Sequence, residues 1–226
     1  DMVVKANKLP APGETVLGGT FLMNPGGKGA NQAVAAARLG GNVALISKIG
    51  NDLFGRQSIE LFRAEGIDTD YVFTDNKNPS GVALISVDSS GENCIIVASG
   101  ANSSLDISDI NKAKKILIEA SIILIQFEIP MQTVEYVIKF ASKYNKKIIL
   151  NPAPAQILSE QFLTSISLIV PNRIEAELLT GIKVYDWESA KKAADKMEEK
   201  GLKNIIIRLS RCLSKNKIKS LYYSCT

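Results

Sequence analysis

Histidine is absent from the 226-residue chain, and cysteine is rare, with three residues at Cys94, Cys212 and Cys225. Without histidine the chain cannot build a Ser-His-Asp or Cys-His nucleophile, a histidine general base or a His-containing zinc or iron site. Three widely separated cysteines are too few for a zinc site or a disulfide framework, which favours a reducing cytoplasm. Any chemistry must therefore use carboxylates, lysine, hydroxyls, amides or the backbone.

Long apolar runs are also missing, since the longest, such as Ile122 to Ile125, span only a few residues. A membrane-spanning helix needs about 20 apolar residues, so we expect no membrane partner. The composition, 46% apolar and 22% charged, is typical of globular proteins. The chain begins at Asp1-Met2-Val3 without a signal pattern, and we expect that it starts inside a longer protein.

The net charge of +4 comes from the C-terminal end. Five of the 27 basic residues follow Ile207 with no acidic residue among them, so that residues 1–207 carry a net charge of −1. A nucleic-acid-binding function would depend on this tail alone, which lacks glycine and a clear periodicity. We therefore expect no nucleic-acid partner.

Short apolar strands alternate with helical patterns from about residue 105 onward. The strands are continuous apolar runs, as expected for strands buried on both faces of a parallel sheet. They are predicted at 121–126, 147–151, 167–170 and 204–207. Helices are predicted from Ser108 or Asp109 to Glu119, from Met131, after Pro130, to Tyr144, and from Asp186 to Gly201. This alternation predicts an α/β fold with an open, doubly wound, mostly parallel sheet.

The region from Thr69 to Ser99 has a different pattern. Its apolar runs at 71–74, 81–87 and 93–98 are joined by short polar connections that are typical of β-hairpins. Together with the glycine-broken segment from Glu14 to Met23, it predicts a small antiparallel sheet that stands off the main one. This sheet is a candidate lid.

A glycine-rich loop, Gly26-Gly27-Lys28-Gly29, precedes the alanine-rich helical pattern at 33–39. The glycines would let a ligand approach the backbone, and the helix start would offer amides to hydroxyls or an anion. The loop is neither a Walker A motif nor a G-x-G-x-x-G motif. It is equally compatible with a tight turn that only packs a small-residue helix on the sheet.

Polar residues follow the predicted parallel strands, namely Glu128, Asn151, Asn172 and Glu175. Ligands of open parallel sheets bind beyond the carboxyl ends of the strands, and these residues converge on that edge if the strands are parallel. Asn172 and Glu175 also have the spacing of a helix N-cap with a capping box. The two roles do not exclude each other.

Several motifs in order along the chain closely resemble the ribokinases, which are PfkB-type carbohydrate kinases. They are Asp1, Pro10-Ala11-Pro12-Gly13-Glu14-Thr15, the loop Gly26-Gly27-Lys28-Gly29-Ala30-Asn31-Gln32-Ala33, Gly50-Asn51-Asp52-Leu53-Phe54-Gly55, Asn151-Pro152-Ala153-Pro154, and Pro171-Asn172-x-x-Glu175-Ala176-Glu177. The resemblance extends to about Ile207. It implies a three-layer αβα fold, of which residues 1–226 would be a single partial domain. It also implies a lid, with strands within about 9–24 and 69–99, that forms the contact of a homodimer.

The resemblance also implies ATP-dependent phosphorylation of D-ribose at its 5-hydroxyl, with Mg²⁺ and, in full-length members, a monovalent cation. The sugar-binding residues that it implies are Asp1, Gly26, Gly27, Lys28, Asn31 and Glu128. Asn172 and Glu175 match the N-x-x-E element, which places Mg²⁺ and the nucleotide phosphates, with Glu175 on the metal.

The resemblance ends where the basic tail at 208–226 begins. Ribokinases continue with a T-L-G-x-x-G turn and a G-A-G-D motif, which holds the aspartate base, and neither occurs in this chain. No catalytic residue is therefore assigned, and we expect little or no kinase activity. The tail suggests a change of reading frame, and an early end of the sheet predicts an uncovered strand edge.

Three alternative functions stay open. The chain could be a non-catalytic sugar-binding or dimerising remnant, or a PfkB-type kinase for another sugar or a nucleoside. A dinucleotide oxidoreductase would suit the fold class, but the G-x-G-x-x-G fingerprint is missing.

Overall fold

The computed structural model describes residues 1–209 and the backbone of the strand at 220–224. The chain divides into two compact units, Asp1–Leu105 and Asp106–Thr226. Within the described residues, no helix is long and apolar enough to cross a membrane. Of the predicted tail at 208–226, residues 210–219 and 225–226 lie outside the described residues, and the reading-frame hypothesis stays a prediction.

The first unit contains six strands and two helices among its described elements. They are β1 (Met2–Lys5), β2 (Thr20–Met23), α1 (Lys28–Arg38), β3 (Ser47–Gly50), α2 (Leu53–Ala64), β4 (Val72–Asp75), β5 (Val82–Val87) and β6 (Asn93–Ala98), followed by a 3₁₀ turn at Gly100–Ser104.

The lid sheet has the strand order β2-β1-β5-β6. The predicted hairpin is present, because β5 and β6 pair antiparallel from Val82 opposite Ala98 to Val87 opposite Asn93. β2 also pairs antiparallel with β1, but β1 runs parallel to β5. The sheet is therefore mixed, and the N-terminal strand Met2–Lys5 is part of it.

The predicted hairpin strand at Tyr71–Thr74 does not belong to the lid, and that prediction is wrong. β4 pairs instead with β3, parallel, with Ser47 opposite Val72 and Gly50 opposite Asp75. The physical reason is the helix α2 between the two strands, because a helical crossover returns the chain in the same direction whereas a short turn reverses it.

The second unit contains five helices and five strands among its described elements. They are α3 (Ile107–Lys112), α4 (Lys114–Glu119), β7 (Ile122–Ile125), α5 (Met131–Lys143), β8 (Lys147–Leu150), a 3₁₀ turn at Glu160–Ser165, β9 (Leu168–Ile169), α6 (Arg173–Thr180), α7 (Trp187–Glu199), β10 (Asn204–Arg208) and β11 (Ser220–Ser224).

The predicted parallel sheet is confirmed in this unit. Its strand order is β11-β10-β9-β8-β7, and β7, β8, β9 and β10 are mutually parallel. Its central side chains are fully buried, as are the inward faces of α5 and α7. These buried residues include Ile148, Leu150, Ile169, Ile205 and Ile207 in the strands and Val134, Ile138, Ala190 and Met197 in the helices.

Two predicted details of this unit differ in the structure. The first helix starts at Ile107 rather than at Ser108 or Asp109, because the Asp106 carboxylate accepts hydrogen bonds from the amides of Ser108 at 2.8 Å and Asp109 at 3.1 Å. The sequence also predicts an uncovered edge at the last apolar strand, but in the structure Ser220–Ser224 pairs antiparallel with β10, so that β11 is the edge strand of this sheet. The tail therefore pairs with β10 and moves the edge of the sheet by one strand.

Asp52 joins the start of α2 to the start of the lid hairpin. Its carboxylate caps α2 through the Gly55 amide at 2.8 Å and accepts the Ser80 amide and hydroxyl, both at 2.7 Å. The Ser80 hydroxyl in turn accepts the Gly50 amide at 3.0 Å. Burial alone would raise the pKa of Asp52, but the hydrogen bonds from Ser80 and Gly55 lower it overall.

Asp75 makes the corresponding connection at the other end of the hairpin. Its carboxylate accepts the Asn78 side chain at 2.9 Å, the Lys77 amide at 2.8 Å and the Ser104 hydroxyl. The hydrogen bonds from Asn78 and Ser104 hold the pKa of Asp75 well below its usual range. Two aspartates therefore connect the entrance and the exit of the lid hairpin to the rest of the first unit.

We expect the Asp75→Asn variant to lower the melting temperature at pH 7 by several degrees, because an amide cannot accept all of these hydrogen bonds. The ionised Asp75 carboxylate stabilises the fold fully at pH values above the ordinary Asp pKa of about 3.8, which applies to the unfolded chain. This stabilisation is lost as the pH falls from there through the lower pKa of Asp75 in the folded state. The melting temperature measured from pH 3 to 7 should thus depend less on pH in the variant. Asp70→Asn, at an exposed aspartate, is the control, and equal melting curves for Asp75→Asn and the wild type would contradict the prediction.

Candidate functional site

The glycine-rich loop forms the N-terminus of α1, as its sequence suggests. Gly27 is the N-cap, with a φ of 94° that disfavours any residue with a side chain, and Lys28 is the first helical residue. No described side chain caps the helix and no acidic residue lies in its first turn. The first-turn amides are therefore directed toward a position that a hydroxyl or an anion could occupy.

The helix packing that the simpler interpretation of the loop requires is present. Ala33 of α1 is buried and packs in a small core with Phe62 and Ile67. The alanine-rich face of α1 thus packs inside the first unit, while its N-terminal turn carries Lys28 and Asn31. The packed face and the N-terminal turn are therefore different parts of the same helix.

The Asp1 carboxylate lies directly against Gly26. A Cβ placed on Gly26 would overlap the carboxylate atoms of Asp1, so only glycine permits this approach. The Asp1 backbone is fixed by two hydrogen bonds to Asn24, since its amino group donates at 2.8 Å and its carbonyl accepts at 3.0 Å. The structure therefore brings Asp1, Gly26 and Gly27 together at the start of α1, next to Lys28.

Glu128, the sixth residue implied for sugar binding, belongs to the second unit and follows β7. The adjacent Phe127 is buried, and its amide donates to the carbonyl of Ala153 at 2.9 Å while its carbonyl accepts from Gln156 at 3.1 Å. The loop after β7 is thus connected to the Asn-Pro-Ala-Pro segment after β8. Glu128 itself is half-buried.

Asn151 carries a buried acceptor at the end of β8. Its amide donates to the Ile125 carbonyl at 2.9 Å, which fixes the backbone. Its side-chain oxygen Oδ1 is buried and has no hydrogen-bond partner among the described residues. A buried polar atom without a partner costs about 1–3 kcal/mol, and such an atom points to a ligand or a bound water molecule.

Asn172 and Glu175 form the capping box that their spacing predicts. Asn172 Oδ1 accepts the Glu175 amide at 2.9 Å, and the two oxygens of Glu175 accept the amide and the side-chain Nδ2 of Asn172, both at 2.7 Å. Glu175 is 4% exposed. The two residues fix the start of α6 at the carboxyl end of β9.

Arg208 lies beside this capping box, at the carboxyl end of β10. Its amide donates to the Pro171 carbonyl at 2.9 Å, and its guanidinium Nη2 lies 3.7 Å from Glu175 Oε2. Sequence reasoning treated Arg208 only as the first residue of the tail. Arg208 directly follows the strand predicted at 204–207. The rule that ligands bind beyond the carboxyl ends of parallel strands, which singled out Asn151, therefore applies to Arg208 as well.

The capping box uses part of the hydrogen-bonding capacity of Glu175, and its role on Mg²⁺ stays a prediction. Mg²⁺ requires near-ideal octahedral geometry with oxygen ligands and usually keeps several water molecules. Both oxygens of the nearly enclosed Glu175 carboxylate accept short hydrogen bonds, and a guanidinium lies beside them. In the part of the chain that the structure describes, no cluster of three or more Asp, Glu, Cys or His side chains could hold a metal ion.

Comparison with protein families and curated proteins gives consistent matches. Residues 1–211 match the family described as pfkB family carbohydrate kinase. The chain is 44% identical over 209 residues to a ribokinase of Haemophilus influenzae, covering 92% of this chain and 68% of that protein. It is 38% identical over 210 residues to a deoxyribokinase of Salmonella typhi, covering 92% and 69%.

Comparison with solved structures supports the same family. The ribokinase of Arabidopsis thaliana, solved in complex with ribose and ATP, superposes with a TM-score of 0.80 at 29% identity, covering 99% of this chain and 74% of that one. The αβα fold and the kinase class that the sequence motifs imply are thus confirmed. The chain belongs to the pfkB family of carbohydrate kinases and is of the ribokinase type.

Proposed function

We propose that this protein binds D-ribose at the glycine-rich loop of its first unit and that its activity is the ATP-dependent phosphorylation of the ribose 5-hydroxyl in the cytoplasm. The observation that carries the proposal is the contact between the Asp1 carboxylate and Gly26 beside the uncapped start of α1. A ribokinase and a deoxyribokinase among the relatives support a pentose as the substrate.

The loop offers the groups that a polyol requires. A carboxylate such as Asp1 accepts hydrogen bonds from hydroxyls, whereas the first-turn amides of α1 and the side chains of Lys28 and Asn31 donate them. Gly26 and Gly27 keep the backbone accessible, because neither has a side chain to cover it. The family resemblance also assigns Glu128 to sugar binding, and this role stays a prediction that a Glu128→Gln variant can test.

The carboxyl edge of the second unit is the proposed nucleotide side. Asn172 and Glu175 fix the start of α6 through their capping box, and a helix N-terminus favours phosphate. Phosphoryl transfer depends mainly on positioning and on neutralising charge at the phosphates. Mg²⁺ is the family's expected source of part of that charge, and the role of Glu175 on the ion, which the resemblance implies, stays a prediction beside its role in orienting α6.

Turnover by a polypeptide of these 226 residues should be slow. None of its residues is assigned as the base that removes the proton from the sugar hydroxyl, since G-A-G-D does not occur in the sequence. Loss of a general base costs about 10² to 10⁴ in rate. In an ADP-release assay with ribose, ATP and Mg²⁺, we expect at least a roughly hundredfold lower rate than for a complete ribokinase. Fast turnover that a Lys28→Ala change abolishes would contradict this expectation.

Calorimetric titration of the purified chain with ribose tests the sugar assignment. We expect ribose to bind, and the Gly26→Ala variant to bind it at least about tenfold more weakly, because the added Cβ displaces the Asp1 carboxylate and loses a charge-assisted hydrogen bond. Tighter binding of 2-deoxyribose or of adenosine than of ribose would instead favour a kinase for another sugar or for a nucleoside.

Gly66→Ala is the matched control for this titration. Gly66 has a φ of +73° and open space around its Cβ position among the described residues, so alanine there strains the backbone without contacting the sugar loop. The control should lower stability and leave ribose affinity unchanged. If both glycine variants weaken ribose binding equally, the effect of Gly26→Ala reflects general destabilisation, and the role of Asp1 is wrong.

The lid sheet supports a homodimer. Strand register places Met23, Met2, Leu84 and Ile96 opposite one another in one row across all four strands, on a single face of the sheet. Phe21, two residues from Met23, lies on the same face. Leu84 and Phe21 are exposed, and Ile96 is 66% exposed. A contiguous exposed apolar surface of this kind marks an interface, and we propose that a second copy of the chain covers it.

Light scattering coupled to size-exclusion chromatography tests this dimer. We expect the wild type to have the mass of two chains and Ile96→Asp to have the mass of one, because a carboxylate buried without a partner strongly disfavours association. Leu39→Asp is the control, since Leu39 is 88% exposed at the end of α1, outside the lid sheet. A monomeric wild type, or a dimeric Ile96→Asp variant, would exclude this interface.

A further inference from the structure

The carboxyl end of β10 places one arginine next to the proposed nucleotide side. Ile205 and Ile207 are fully buried and fix the strand in the sheet. The Arg208 amide then donates to the Pro171 carbonyl at 2.9 Å, and Arg208 pairs with Asn172 in a parallel bridge. The position of the Arg208 backbone relative to the start of α6 is therefore fixed by hydrogen bonds within one sheet.

Among the described residues, the guanidinium of Arg208 is only partly used by the protein. It lies 3.7 Å from Glu175 Oε2, beyond the 2.7–2.9 Å of a charge-assisted hydrogen bond. The Arg208 side chain is 46% exposed, whereas the Glu175 side chain is 5% exposed. A guanidinium has five N–H donors in a planar fork, so donors remain for an anion that approaches from solvent.

The same position of Arg208 disfavours a metal ion directly on Glu175. The permanent positive charge of Arg208 lies beside the carboxylate, and a second cation there would be repelled by the first. The site near Glu175 thus already contains a cation that belongs to the chain. It differs from a bound metal ion in being covalently attached and always present.

We propose that Arg208 binds phosphate oxygens of the nucleotide directly and supplies the positive charge that a divalent cation would otherwise supply beside Glu175. Nucleotide binding by this chain then does not require Mg²⁺. The inference rests on the proposed function for the identity of the ligand, a nucleoside triphosphate. Arginine suits this role because its fork matches two oxygens of a phosphate group.

A purely structural role for Arg208 would have different consequences. An exposed ion pair contributes little to stability, and its loss would change neither nucleotide affinity nor the effect of Mg²⁺. Direct phosphate binding predicts the opposite, namely a large loss of affinity in the absence of metal and little change in the melting temperature. Binding and stability measurements on one variant therefore distinguish the two roles.

The test is calorimetric titration of the full 226-residue chain with ATP and with inorganic tripolyphosphate, each in EDTA and in excess Mg²⁺. We expect wild-type affinity for both ligands to be similar in the two conditions. Arg208→Gln should weaken both in EDTA by about tenfold or more, as expected for loss of a charge-assisted contact. Added Mg²⁺ should restore part of this loss, and Arg208→Lys should give an intermediate affinity.

Lys203→Gln is the matched control, because Lys203 is exposed immediately before β10, at the opposite end of the same strand, and the change removes the same charge. It should bind both ligands like the wild type. Equal affinities of Arg208→Gln and wild type, or wild-type binding that requires Mg²⁺, would overturn the inference. A sample that binds ribose but not ATP would also overturn the inference about Arg208, and the proposed sugar site would stay intact. A sample that binds ATP but not ribose would count only against the proposed function.

Discussion

Parallel pairing of buried strands is the constraint on which the second unit depends. Because β7, β8, β9 and β10 run in the same direction, every residue that directly follows a strand lies at one edge of the sheet. Asn151 follows β8, Asn172 lies shortly after β9 and Arg208 ends β10, so that all three lie at this edge although they are far apart in the sequence. The buried side chains of the strands and helices keep this edge in place, so that polar groups can be left unpaired or partly exposed at it.

The first unit depends on a different constraint, the close approach of a side chain to the backbone. The Asp1 carboxylate can lie at the start of α1 only because Gly26 has no Cβ. Hydrogen bonds to Asp52 and Asp75 fix both ends of the lid hairpin. The lid strand β1 continues from Asp1, which connects the candidate sugar loop to the lid sheet through the backbone.

Much of the fold could be predicted from the sequence because its signals are local. Asp186 does cap α7, and the apolar runs at 147–151 and 204–207 do form parallel strands. The pairing of β4 with β3 could not be predicted as easily, since the flanking turn residues resemble a hairpin whereas the direction is set by α2. Of the site, the glycine loop and the capping box follow from spacing. The proximity of Arg208 to Glu175 depends on the strand order, which no local pattern specifies.

The arginine beside Glu175 also bears on why binding and catalysis would separate in this chain. A guanidinium carries one positive charge and is attached to β10, whereas a divalent cation carries two and can stay with the phosphates as charge moves during transfer. Interactions that stabilise the bound nucleotide and the transition state equally do not accelerate the reaction. A fixed single charge therefore favours ground-state binding of the nucleotide. Binding of the nucleotide without fast phosphoryl transfer is also what the lack of an assigned base for the sugar hydroxyl predicts. The two arguments rest on different residues.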